Sequence, residues 1–550
     1  MSSTPPRDRY ALVRDTVRSQ WVTGTVWVVG GGAANLLMGI SLRREMDDYP
    51  GGPAALAASV LPASEAMRPL RWPANHLETL GGYLTFHNIV LFTFFLTIWG
   101  AIQGARAVRG AEDRHWLELV LATGWPRAAV VRDRLLGFLV TDAYVSLGLG
   151  LSVAAALAAG REPNLGGALA TFGAVGLCVL AGYGLGVLLA QLTRSARTAA
   201  GLAGVVLTTL YVVSNSWENL AGLRWLRFAS PFYYWTFSRA TVPGHSFDVP
   251  SALVTLGMAA LLTTVAAWAF ARRDYAAALW TTRRERTARS GPAGWPVRAA
   301  LASPWSAMVV RGRYGLLAWA GSAAVFGWLM MFLEPSVMGV WDMFATFLPG
   351  GGLSGASASA RYVSFATEVV IPFVAGYVIN QAAAWAADLS QGRVELALAS
   401  PVSWVRLVVE RVLAATVGTA VVSGAAILGL VLGVAGVDVA LDASGLARLA
   451  AESILLGAAL AGVAVAVVAA FRGTAAVTVL GVLVGASYLV GYLTELLGWP
   501  DWTYRLSIFS LFGHPYLEWP PVTDVTVLAV ACLLATALAT GLAVRSPKVA

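Results

Sequence analysis

Lysine is almost missing from this chain. Among its 550 residues the only one is Lys548, close to the last position. A phosphate-binding loop needs Gly-x-x-x-x-Gly-Lys-Ser/Thr, with the lysine reaching the phosphates. No such loop can be written here, so ATP binding by the usual route is excluded. Charge of either sign is scarce: Asp, Glu, Lys and Arg make up 12% of the sequence, against about 25% in an ordinary soluble protein. Cysteine is limited to Cys178 and Cys532, both inside apolar runs, which excludes a disulfide framework and points to inert buried thiols. No His/Cys group has metal-ligand spacing. Strand-like alternation of the kind a membrane barrel requires is absent. Met1 to Gln20 is polar and no clear cleavage site follows the first apolar run, so no cleavable signal peptide is expected.

What the chain does have is length of apolar sequence. Apolar residues make up 57% of it, and a bilayer core demands about 20 mostly apolar residues of each helix. Twelve such runs can be read: 21–41, 84–105, 135–158, 166–191, 199–215, 251–271, 314–333, 363–385, 412–435, 446–470, 474–494 and 522–544. The shortest is 199–215. The fold expected is an all-α polytopic membrane protein of about 12 transmembrane helices. With Met1 placed in the cytoplasm, 27 of the 38 Lys+Arg fall in cytoplasmic segments, although the outside loops are longer. This positive-inside bias puts both termini in the cytoplasm of a multi-pass cell-membrane protein. It also accounts for the net charge of +8 without nucleic acid.

The two most alike stretches lie 277 positions apart: Glu118-Leu-Val-Leu-Ala-Thr123, running on to Val131, Asp133 and Arg134, and Glu395-Leu-Ala-Leu-Ala-Ser400, running on to Val408, Glu410 and Arg411. Over 17 aligned positions six are identical. An internal repeat says how many units the fold contains, here two: residues 1–271 and 303–550, joined by a basic linker over 272–302 that carries Arg283, Arg284, Arg286 and Arg289. Six spans per unit is even, so the repeats run parallel, related by an axis along the membrane normal. Each unit is led in by a basic amphipathic segment, Tyr10–Arg18 or Pro304–Arg313, of the kind that lies in the interface. Each has a long outside loop after its first span, 42–83 or 334–362, and an aromatic-rich outside segment before its last. The aromatic segments hold Trp225, Phe232 and Tyr233 in one unit and Phe512 in the other. They read either as an aromatic belt or as a short re-entrant hairpin forming an outer gate.

The segments between spans 2 and 3 are the best candidates for function. The first holds Glu112, Asp113, His115, Glu118, Leu119 and Leu121; the second holds Asp388, Arg393, Glu395, Leu396 and Leu398. A solvated loop gives no reason for Glu-Leu-x-Leu-Ala to recur. A helix docking into a groove needs apolar anchors and a charge that sets register, and two like helices imply a partner with two like grooves. At membrane depth, His87, Glu368, Asp142 and Glu452 are candidates for a substrate path, because an ionisable group there normally faces a cavity or partner. His87 aligns with Ser364, one turn from Glu368. Contact with headgroups or water at the span ends is the plainer reading of that pair. His245 and His514 read as solvated.

The segment Gly392-Arg-Val-Glu395-Leu-Ala-Leu-Ala-Ser-Pro401 resembles the cytoplasmic motif of permeases of ABC-2 type exporters. Arg114-His-Trp-Leu-Glu118-Leu-Val-Leu-Ala-Thr-Gly124 departs from it, with Gly124 in place of Pro and His115 in place of Gly392. Arg227-Phe-Ala-Ser-Pro-Phe-Tyr-Tyr234 is similar to that family's stretch before the last span of a half. The two-unit form resembles actinobacterial polyketide-antibiotic and multidrug efflux permeases. The resemblance implies that the charged segments are coupling helices. It also implies that ATP and Mg belong to a partner, two ATP-binding subunits, and that the cargo is a small amphiphile such as a drug or antibiotic. The alternative is a 12-helix secondary transporter of the major facilitator kind, driven by an ion gradient. Against it, the loop between spans 2 and 3 lacks Gly-x-x-x-Asp-Arg-x-Gly-Arg. A lipid-linked glycosyltransferase is disfavoured because Asp47-Asp48 is a lone acidic pair.

Overall fold

The computed structural model describes residues 10–66, 74–218, 222, 224–274, 303–338, 357–368, 370–399, 401–437, 439–471, 473–496 and 499–545. Every regular element among them is helical. The chain divides into two compact units, Met1–Arg289 and Ser290–Ala550. Most of the basic linker and much of the 334–362 loop lie outside the described residues.

The first unit consists of α1 (Ala11–Asp48), α2 (Gly52–Ala66), α3 (Leu80–Gly110), α4 (Trp116–Ala122), α5 (Arg127–Ala159), α6 (Leu165–Leu192), α7 (Ala196–Ser216), α8 (Pro231–Trp235) and α9 (Val249–Arg272). The second consists of α10 (Pro304–Arg311), α11 (Arg313–Met338), α12 (Ala358–Ser390), α13 (Arg393–Leu398), α14 (Trp404–Gly433), α15 (Ala443–Phe471), α16 (Gly473–Leu496), α17 (Asp501–Tyr504) and α18 (Val522–Arg545). Among the described residues, 11 helices are long and apolar enough to cross a membrane. The shorter apolar stretch Ala475–Gly491, inside α16, stands where the sequence places the remaining span. The chain is thus a polytopic all-α membrane protein of about 12 helices.

The repeat survives in three dimensions. α5 and α14 begin 277 positions apart, as do α7 and α16. Within each unit the first span packs on the third, the second on the fourth and fifth, the third on the fourth, and the fourth on the sixth. The entry segments differ. In the second unit Gly312 ends α10 and separates it from the span. In the first, nothing between Ala11 and Asp48 stops the helix, and a π-turn at Trp27–Gly31 is its only irregularity. The separate interfacial entry helix expected there is therefore the base of the first span. The 42–83 loop also holds a helix, α2, which follows a turn at Gly51 and Gly52, both with positive φ. Such backbone costs glycine little.

The core of the first unit is the seam between α3 and α6. Lipid gives helices no hydrophobic reason to associate, so close backbone approach through small residues takes over. A Cβ on Gly186 would stand 2.0 Å from the Ala101 carbonyl oxygen, and one on Gly104 would stand 2.1 Å from that of Tyr183. Gly186→Ala must push the two helices apart, an overpacking cost of about 1–3 kcal/mol. Gly173, on the same helix with nothing within 4 Å of its missing Cβ, is the control. Alanine there adds roughly 1 kcal/mol of helix propensity. Thermal unfolding of the two variants in one detergent should show a lowered midpoint for Gly186→Ala and none for Gly173→Ala.

Candidate functional site

The two short helices after the second spans are built alike. Each is entered through a left-handed residue at the same repeat position, His115 at φ 58° and Gly392 at φ 67°. The glycine adopts this without strain, whereas a side chain such as histidine is tolerated there only sparingly. The reversal turns the chain back along the end of the bundle. Leu117 and Val394 then point inward and are buried. One residue on, Glu118 and Glu395 are exposed. Leu119 and Leu396 stand outward at 67% and 76% exposure. Leu121 and Leu398 are half-buried, and Leu398 packs on the core of its own unit. The outward anchor is therefore one leucine per helix rather than two. The inward anchors Leu117 and Val394 were legible only as part of an apolar stripe.

What holds these helices differs between the units. Glu112 was expected on the docking face. Instead it is buried, with Oε2 2.7 Å from Arg109 and Oε1 2.6 Å from Arg273. Arg273 follows α9, and its Nε donates to Gln191 at 2.7 Å. Arg109 Nε donates to the Ala190 carbonyl at 3.1 Å, and Arg127 donates to the Arg273 carbonyl. This knot ties the end of α3 to the ends of α6 and α9. Asp113 is likewise engaged within the unit, its Oδ2 accepting the Ala196 N–H at 3.0 Å at the start of α7. Glu112 is thus spent inside the unit before the chain turns outward at His115, whereas the Asp113 side chain stays exposed. In the second unit Asp388 takes the central place, 2.8 Å from Arg393 and 2.6 Å from Arg411. This cluster is less enclosed, and Arg393 remains exposed. Arg134 and Arg411, equivalent in the repeat, are both buried. Arg134 reaches Asp15 at 2.7 Å and lies 5.0 Å over the Trp116 ring. Arg411 lies 4.5 Å over Trp385.

Of the candidates at membrane depth, His87 and Asp142 belong to the first unit and Glu368 and Glu452 to the second. Asp142 and Glu452 are buried among helices of their own units. Glu368 pairs with His514 at 3.2 Å, so His514 is not merely solvated. His87 sits in a π-turn, Thr85–Ile89, with ring centroids 4.5 Å from Tyr83 and 5.1 Å from Phe86. The sequence reading missed its neighbour Asn88, which donates to Asn35 at 2.6 Å; Asn35 in turn donates to Ser152 at 2.9 Å. This polar chain crosses the first three spans. Three asparagine and serine residues 53 or more positions apart leave no local signal.

The aromatic segments form short turns, Arg224–Ala229 with α8 in one unit and α17 with Ile508–Leu511 in the other. Phe232 and Phe512 are buried packing residues, and Phe232 lies 5.2 Å from the Tyr211 ring. Tyr233 lines, with Trp217 and Phe228, a cage around the Arg227 guanidinium. Trp225 is exposed.

The Glu112 knot carries a direct test. Removing one partner from a buried ion cluster costs about 3–5 kcal/mol, because it leaves uncompensated charge. Glu112→Ala should sharply reduce the yield of folded protein on size-exclusion chromatography. Glu118→Ala, on the exposed face, should leave it unchanged.

Two family descriptions match the chain, one on each half. Residues 13–275 match "ABC-2 family transporter protein". Residues 301–544 match "Multidrug efflux system permease Rv1217c, C-terminal domain". Search of curated proteins returned no match. The matches cover nearly all of both units, and their shared meeting point is the basic linker. Together they establish that the chain belongs to the ABC-2 type permeases of the multidrug efflux kind.

Proposed function

We propose that this chain is the membrane permease of an ATP-driven exporter, moved by two ATP-binding subunits that dock on α4 and α13. The observation that carries the reading is the matched pair of exposed leucines, Leu119 and Leu396. Each follows an exposed glutamate on a helix pinned by a buried residue one turn-face away. A leucine left out at the most charged end of a polytopic protein, twice and at the same repeat position, is the pattern of a helix that fills a groove on a partner. ATP and Mg reside in that partner, since the chain has no lysine for a phosphate-binding loop. Both termini lie in the cytoplasm, as the arginine distribution favours.

The reading gives α4 and α13 the role of coupling helices. Closure of the ATP-bound subunits displaces them, and the third spans, α5 and α14, carry the displacement into the membrane through Arg134 and Arg411. The cargo class that the second-half match supports is small amphiphilic drugs or antibiotics. The family assignment sets aside the ion-gradient alternative.

Glu118→Arg combined with Glu395→Arg reverses the register charge on both helices without touching a buried group. The double variant should express normally and lose at least about tenfold in affinity for the ATP-binding subunits, the equivalent of roughly 1.4 kcal/mol. Drug-stimulated ATP hydrolysis should fall in parallel. Unchanged coupling in a well-folded double variant would remove these helices from the mechanism.

A further inference from the structure

Asp142 lies near the middle of α5, 4% exposed, and its Oδ1 has no hydrogen-bond partner among the described residues. One turn further on, Ser146 Oγ is in the same condition. Both face bare backbone: a Cβ built on Gly176 of α6 would stand 2.8 Å from Ser146 Oγ and 3.4 Å from Asp142 Oδ2. The stripe continues toward the basic end. Phe138, one turn before Asp142, stacks on Tyr183 at 4.3 Å and lies 5.4 Å from Trp99. The Tyr183 hydroxyl and Trp99 Nε1 are again buried with no partner, as is Nε of Arg134 a turn earlier. Positions 134, 138, 142 and 146 lie on one face of α5, because side chains four apart stack on a helix.

Among the described residues, five buried polar atoms along one file thus lack partners, whereas such groups are normally bonded to protein or to ordered water. The groups around Asp142 give it no counter-ion. From α6 come Cys178, whose thiol donates to the Pro231 carbonyl at 3.4 Å, and Tyr183. From α3 comes Trp99. From α5 itself comes Arg134, already held by Asp15 and Thr16. None of these is a cation left to pair with it. The second unit shows what packing alone asks for. There the equivalent position is Thr419, fully buried, its hydroxyl donating to the Ala415 carbonyl at 3.0 Å. A neutral residue satisfied by its own helix fills the place, so a carboxyl in the first unit is surplus to structure.

We propose that Asp142 is a proton-binding site of the first unit, holding its proton as a neutral acid over Gly176 together with Ser146 and water buried along the Arg134–Ser146 file. The proton passes to that water when α5 and α6 part at Gly176, and returns when they close. The proposal does not rest on the partner or cargo, and its test needs neither.

Infrared spectra of the full-length protein in lipid vesicles near neutral pH should contain the carbonyl band of a protonated carboxylic acid that Asp142→Asn removes. Asp142→Asn, a neutral isostere, should retain the wild-type thermal midpoint. Gly176→Ala, whose methyl takes the place of water, should shift the band without removing it, and so should Ser146→Ala; these two carry the test if Asp142→Asn does not fold. An identical protonated-acid region in wild type and Asp142→Asn would overturn the proposal. So would an unshifted band in both Gly176→Ala and Ser146→Ala, or a large loss of stability in a folded Asp142→Asn.

Discussion

A buried guanidinium at the foot of each third span is the constraint on which the rest of the molecule depends. Arg134 and Arg411 occupy the same repeat position, both are almost fully enclosed, and both are flanked by a tryptophan face and a carboxylate. A charge so placed is tolerable only if its partners stay where they are. It therefore fixes the start of the third span against the segment arriving from the second, and the short exposed helix in between has to fold across the end of the bundle. The left-handed residue before that helix and the inward Leu117 or Val394 complete the arrangement. The exposed leucine follows from these demands: with Leu117 or Val394 committed inward, the residue two positions on stands about 200° around the helix and must face out.

The sequence shows these parts unevenly. The spans are legible because the period and length of apolar runs report on lipid directly. The repeat is legible because Glu118 and Glu395, Leu119 and Leu396, and the two arginines sit at fixed spacing. The direction of each side chain within the charged segments is not. Glu112 read as surface charge, yet it lies inside the bundle, while Asp113 is exposed but bonded to the start of α7. Long-range polar pairs are equally hidden. Glu368 finds His514, and Asn35 finds Asn88 and Ser152, across separations that no local pattern marks. Within the aromatic segments, the burial of Phe232 and Phe512 inside their own units had no mark in composition.

The halves have also diverged in how they are sealed. In the first unit the tightest glycine-to-carbonyl contacts join the second and fourth spans, with looser ones between the first and third, such as Gly137 with Val13. In the second unit they join the first and third, where a Cβ on Gly429 would meet the Ala324 carbonyl oxygen at 2.0 Å. A common contact order is thus maintained by different small residues. Backbone proximity at small residues seals both units, at different positions in each.

The knot centred on Glu112 has a mechanical corollary. In the first unit the root of α4 is riveted to the tail of the sixth span through Arg273, whereas in the second Asp388 fastens α13 only to its neighbours in sequence and to Arg411. Equal pushes on the two levers would meet unequal compliance. The first would drag α9 along as a stiff block, while the second would swing mainly its own third span. The same displacement applied at α4 and at α13 would thus carry along different amounts of each unit.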